Sequence, residues 1–545
     1  MTDHADHDDG SAGQPASPAR RRIFQAAAAA SVAGGLPLMS KAAARPAPAT
    51  SLDTKLKAHV KNVVVIYLEN RSFNNLFANF PGTSAPPAVA QKDRDGSVLP
   101  ALPKIWGGMV PGRQNLGGKE YLITEDQVHG LPNAPFKLTG LDGEPLPEGV
   151  ITRDLWHLFY QNQMQINGGR NDGFAAWGDT GGMVMGYYGE TGKNLGLWQI
   201  AREFTLCDNF FMGAFGGSYL NHQFLISARV PVYPDAATSP AAKKIAVLAD
   251  GPTGVRLALD ADSPASALDG KPKYVNSGAI TPDGYAVNTM APPYQPTWVR
   301  PAPGGDPDHA DPLDPSVLPP QTYDTIGDLL SRRGIDWAWY GGAFQAALDK
   351  RGEGAKPNFQ AHHQPLNYFR QFAPGTKARA AHLRDGGLGD SPISNKFIAD
   401  AVAGKLPPVA FYKPQGNLNL HAGYSDIEAG DAHIANVVEH LKKSPQWNNM
   451  VVVITFDENG GWWDPVAPPQ GDRWGPGTRI PALVVSPFAK KGAVDHNFYD
   501  TTSILRFITR LHSLPLLEGI VSRNTAFAAR GARPPGDLTG TLSFR

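Results

Sequence analysis

The sequence predicts an α/β protein built on an open, mostly parallel sheet, and three features of the chain lead there. Five short apolar runs read as buried strands: Val63–Leu68, Trp337–Tyr340, Val409–Tyr412, Val451–Phe456 and Ala482–Val485. They are continuous and not alternating, as expected of strands covered on both faces. Helical stretches precede the second and fourth, at Thr325–Arg333 and Ala432–Lys442, so helices should flank the sheet. Two regions, Pro81–Gly149 and Val230–Pro320, break the alternation. Rich in Pro, Gly and Asp, they read as a loop-rich cap over a site.

The chain opens on a targeting pattern. Arg20, Arg21 and Arg22 precede Ile23, Phe24 and an Ala-rich run to Leu38, and Lys41 and three alanines follow. The Arg-Arg-x-Phe entry resembles a twin-arginine signal, so residues 1–44 are expected to direct export to the periplasm or beyond. Residues 45–60 read as a linker and 61–545 as one domain, with the cap insertions inside it. No run is long and apolar enough to span a bilayer.

Composition narrows the function. Hydrophobic content of 41% and charged content of 18% fit a folded globular chain. A formal net charge of zero removes the electrostatic case for a nucleic-acid partner. Cys207 is the single cysteine, which excludes an intrachain disulfide and thiolate-rich zinc sites.

Open α/β sheets bind ligands beyond the carboxyl ends of their strands, so the residues there carry the chemistry. Glu69-Asn70 follows Val63–Leu68, and Asp457-Glu458 follows Val451–Phe456. Carboxylates at the ends of buried strands need a positive partner, and this hard-oxygen set suits a divalent cation. Helix capping would account for either pair alone but not for both on one sheet. Gly216-Gly217-Ser218 turns sharply into an apolar stretch, placing Ser218 at a helix start, as a cap or as part of an anion site. Among the histidines, His421 stands out because it follows the third strand. His157, the adjacent pair His362 and His363, His433 and His496 lie elsewhere in loops or on a helix.

Together these motifs resemble the phosphoesterase family of bacterial phospholipases C and acid phosphatases. The likeness rests on Glu69-Asn70-Arg71-Ser72-Phe73, Gly168-Gly169-Arg170-Asn171-Asp172, Thr205-Leu206-Cys207-Asp208-Asn209, Phe456-Asp457-Glu458-Asn459-Gly460-Gly461 and Tyr499-Asp500-Thr501-Thr502. They occur in the family's order from about Val63 to the chain's end. The resemblance implies an alkaline-phosphatase-like fold and one divalent metal on Glu69, Asn70, Ser218, Asp457 and Glu458; oxygen ligands favour Ca, Mg or Mn, and the histidines nearby leave Zn or Fe open. It implies Ser218 as nucleophile, in a Gly-Gly-Ser-x-x-Asn-His context like that of the acid-phosphatase branch. The branch's site histidines fall on His157, His421 and one of the His362/His363 pair, of which His363 is preferred. Where many relatives carry Asp-His, this chain has Asp464-Pro465.

The expected activity is acid phosphatase action on small phosphate monoesters through a phosphoserine, with cationic histidines neutralising the phosphoryl oxygens. A phospholipase C acting on a phospholipid head group with the same site is the alternative. No Cys/Ser-x-Pro-x-Arg pattern surrounds Ser218, which argues against a sulfatase.

Overall fold

The computed structural model describes residues 51–189, 191–351 and 355–544. The predicted signal segment at 1–44 lies outside the described residues, as does the first part of the linker. Its remainder is not irregular. Ser51–His59 form helix α1, with Asp53 in the first turn and Lys57 and His59 in the last, each sign matched to the helix dipole. Leu56 of α1 is buried, and Asp53 pairs with Arg510 at 2.6 Å. The Pro-rich residues just upstream suggested a linker, but the amphipathic turn that follows them docks on the domain.

Eight strands make the central sheet: β1 (Asn62–Leu68), β2 (Thr205–Cys207), β3 (Trp337–Gly342), β4 (Leu383–Gly387), β5 (Val409–Lys413), β6 (Met450–Phe456), β7 (Ala482–Val485) and β8 (Ala493–Asp495). Their order across the sheet is β8-β2-β7-β6-β1-β5-β3-β4. All five runs read from the sequence are strands here. The sheet is mostly parallel, as expected, and the exception is β7, which lies antiparallel to both β6 and β2. An apolar run records burial, not direction. Every residue of β1 and β6 is buried, as two covered faces require.

Flanking helices include α2 (Ser218–Ser227), α3 (Ile326–Arg332), α4 (Ile427–Lys442) and α5 (Thr502–His512). Thr325 and Asp328 form a capping box at the start of α3. Helix α4 starts five residues before the predicted position, because Asp426 caps it by accepting the Ala429 N–H at 2.7 Å. Gly430 lies inside α4, where a Cβ would stand 2.7 Å from Leu420 Cγ. The small residue lets α4 press against the segment that carries His421.

The two irregular insertions are tied to each other and to the body. Asp93 Oδ1 accepts the Ala267 N–H at 2.7 Å, and Arg94 donates to the carbonyls of Gly270 and Ala176 at 2.6 and 3.2 Å. Asn288 of the second insertion accepts the Phe159 N–H at 2.8 Å, two residues beyond His157. Among the described residues no helix is long and apolar enough to cross a membrane.

Candidate active site

Strand pairing brings the acidic residues together. β1 and β6 are parallel neighbours with Leu68 opposite Phe456, so Glu69-Asn70 and Asp457-Glu458 leave the sheet side by side. Asp457 Oδ1 accepts the N–H groups of Asn70 and Glu458 at 3.0 and 2.8 Å, and Glu458 Oε2 accepts that of Gly460 at 2.5 Å. All four residues are fully buried. Capping does not account for them, since the cap of the next helix, Phe73–Phe77, is Ser72.

Ser218 enters from the third side. The chain reaches it through Gly216, whose φ is +92° and whose Cβ, if present, would lie 2.6 Å from the backbone of Phe159. Only glycine fits there. The N-cap of α2 is Gly217, and Ser218 is the first helical residue, so its hydroxyl caps nothing. Instead Oγ donates to Glu69 Oε2 at 2.8 Å and lies 3.5 Å from Glu458 Oε1.

The histidines line the same centre. His157 Nε2 is 3.9 Å from Glu458 Oε1, and its Nδ1 bonds the Leu155 carbonyl at 2.6 Å. His421 stands beside it, ring centroids 5.7 Å apart, and stacks on Tyr424. His363 Nε2 reaches to 3.1 Å from Glu69 Oε1, whereas His362 contacts the ring of His363. His433 is tied to Tyr412 and Asp390, and His496 to Asp208.

Two residues at the centre were not read as site residues. Lys413, the last residue of β5, contacts Glu69 Oε1 through Nζ and is nearly fully buried. His222 lies one turn along α2 from Ser218, with Nδ1 on the Ser218 carbonyl at 2.8 Å and Nε2 3.9 Å from Glu69 Oε1. Asp154, 3.7 Å from His157 Nδ1, joins the rim. The departure at Pro465 follows Asp464, which is structural: it accepts from Arg479 Nε at 2.9 Å and from the Asn74 N–H at 3.0 Å.

Burial governs the electrostatics. It raises Glu69, with help from the Asp457 charge and against Lys413, to about 8. Burial and Asp457 likewise hold Glu458 well above the usual carboxylate range. Burial pushes His222, His363 and His421 well below the ordinary imidazole range, and His362 to about 3. Desolvation thus works against the expected cationic form at these four rings when no anion is bound.

Glu69, Asp457 and Glu458 offer oxygens within 4.8 Å of one another. Asp457 Oδ2 is buried with no hydrogen-bond partner among the described residues. An orphaned oxygen amid three buried carboxylates is the environment a divalent cation satisfies, so the residues fit one.

A profile of the Phosphoesterase family matches residues 60–515. Phospholipase C B of Mycobacterium tuberculosis is 23% identical, over 96% of this chain and 85% of its own. The non-hemolytic phospholipase C of Pseudomonas aeruginosa is 27% identical over 41% of this chain and 33% of its own. Among solved structures, a protein in the alkaline phosphatase superfamily from Vibrio parahaemolyticus aligns over 61% of this chain and 63% of its own, at 12% identity and a TM-score of 0.30.

The buried carboxylates set a pH signature for protein stripped of divalent ions. Glu69 moves from 4.5 to about 8 on folding, so its contribution favours the folded state fully below pH 4.5 and is lost as pH rises through 8. The melting temperature of chelated protein should therefore fall between pH 6.5 and 8, above the range in which the depressed histidines act in the opposite sense, and a saturating divalent ion should flatten that fall. Equal slopes with and without metal would contradict the assignment.

Proposed function

The chain belongs to the phosphoesterase family, and we propose that it is an exported, metal-dependent acid phosphatase that hydrolyses phosphate monoesters through a phosphoserine on Ser218. The observation that supports this most is the Ser218 hydroxyl, free of capping duty and aimed at Glu69 of the acidic trio.

In the first step Ser218 Oγ bonds to phosphorus as the ester P–O bond breaks, and the hydroxyl proton passes to Glu69 Oε2, 2.8 Å away, a carboxylate that a bound divalent ion would keep ionised. The leaving alkoxide takes a proton from His421 or His363. In the second step water attacks the phosphoserine, the neutral imidazole accepts its proton, and Ser218 recovers its own from Glu69. A divalent ion held by Glu69, Asn70, Asp457 and Glu458, with Ser218 completing the set, would act as a Lewis acid toward the serine oxygen and the phosphoryl group. His157 faces the opposite side of the centre, with Nε2 toward Glu458.

An acidic optimum is expected on this reading from the general acid. A general acid must be protonated, and burial pushes these imidazoles down, so the competent fraction grows as pH falls. A bound phosphoryl dianion favours the same proton.

The second reading, a phospholipase C, is favoured by the names of the relatives, one of which aligns with 96% of this chain. A substrate panel separates the two. The monoesterase reading predicts turnover of an aryl phosphate at least about tenfold above a matched diester and above phosphatidylcholine, about 1.4 kcal/mol in the transition state. The reverse ranking would replace it with the phospholipase reading.

Ser218→Ala should lower monoester turnover by more than about a thousandfold. Rapid acid quench of the wild-type enzyme on labelled substrate should leave the label on Ser218. A variant that keeps near-normal turnover would rule the serine out as nucleophile. Export is tested separately: replacing Arg21 and Arg22 together by Lys should leave the enzyme in the cytoplasmic fraction, and unchanged distribution would discard the twin-arginine assignment.

A further inference from the structure

Glu69 shows its two oxygens to different neighbours. Oε2 faces the nucleophile, Ser218, as described. Oε1 faces Lys413 Nζ in direct contact, His363 Nε2 at 3.1 Å and His222 Nε2 at 3.9 Å. Glu69, His222 and His363 are all buried and offer ligand atoms within 4.8 Å of one another.

His222 is held as a metal-ligating imidazole usually is, and His363 stacks on it. The two rings stack at 5.0 Å and 9°. Nδ1 of His222 is committed to the Ser218 carbonyl, which places its lone pair on Nε2. Nε2 of His222 and of His363 are buried with no hydrogen-bond partner among the described residues; the approach of His363 to Glu69 is close but not aligned for a hydrogen bond. One carboxylate oxygen and two bare imidazole nitrogens form a donor set for a borderline ion of the zinc class. The hydrophobic interior does not leave such a set uncompensated, and the group lying on it is Lys413, with 2% of its surface exposed.

We infer that Lys413 is the second cation of this centre. Its amine lies against the carboxylate-and-two-imidazole site that would otherwise take a zinc-class ion. It thereby holds the centre to one metal and keeps Glu69 Oε2 turned toward Ser218. Lys413 is a positioning residue in this account, acting through Glu69 and not on the substrate. The inference rests on the reading of Glu69, Asn70, Asp457 and Glu458 as the site of the single ion.

The experiment counts ions. Wild type, Lys413→Met, Lys413→Gln and the double variant Lys413→Met/His363→Ala are stripped with chelator and dialysed against Co2+ or Zn2+. Bound metal is measured by elemental analysis, and the Co2+ geometry by visible absorption. Wild type should hold one equivalent. Lys413→Met should hold two, with a new absorption from a nitrogen-containing site, and the double variant should return to one. Lys413→Gln keeps a hydrogen bond to Glu69 without the charge. It should also take a second ion, and it carries the test if the methionine variant does not fold.

One equivalent in both folded lysine variants would overturn the inference, as would two equivalents in wild type. A wild type that holds no ion would instead remove the metal reading beneath it, and the inference would fall with that.

Discussion

Three carboxylates with no access to water meet where two parallel strands end, and the rest of the centre is arranged around that cost. Glu69, Asp457 and Glu458 are fully buried and within 4.8 Å of one another. Burial first, and the neighbouring Asp457 charge second, push Glu69 and Glu458 upward, so the three cannot all ionise unaided. Backbone N–H groups from Asn70, Glu458 and Gly460 offset part of this, and Lys413 offsets more. What remains unsatisfied, Asp457 Oδ2 above all, is what a divalent cation would complete.

The same constraint explains the placement of Ser218. A hydroxyl is a good neighbour for an uncompensated carboxylate, and Gly216 and Gly217 let the chain approach closely enough to supply it. His222 and His363 stand on the far oxygen of Glu69, while His157 and His421 stand on the side of Glu458. The site is therefore polarised: a lysine and two neutral rings at one end, a pair of rings with Asp154 at the other, and the nucleophile between.

Much of this was legible in the sequence, for physical reasons that also mark its limits. β1 and β6 are unbroken apolar runs because both faces are covered, and their terminal carboxylates stand out against them. The register that sets Leu68 against Phe456 is not written in either run, yet it makes two motifs one site. β2 and β8 are three residues each and near the sheet's edge, too short to show a period. Lys413 was missed by one position: the third apolar run was read as ending at Tyr412, and the strand's last residue is the lysine. His222 was visible in the serine motif, but only the helical turn from Ser218 shows that it faces the same centre. The sequence left Ser218 between cap and anion site. The structure assigns the cap to Gly217.

The central claim is that the buried trio is a metal site whose carboxylates shed protons when the ion enters. Titration calorimetry of a divalent ion into stripped protein at pH 7, repeated in buffers of different ionisation enthalpy, measures both stoichiometry and proton release. The account predicts one ion per chain and release of at least one proton, because Glu69 sits at about 8 without the ion. Binding with no proton release, or no binding at all, would contradict it.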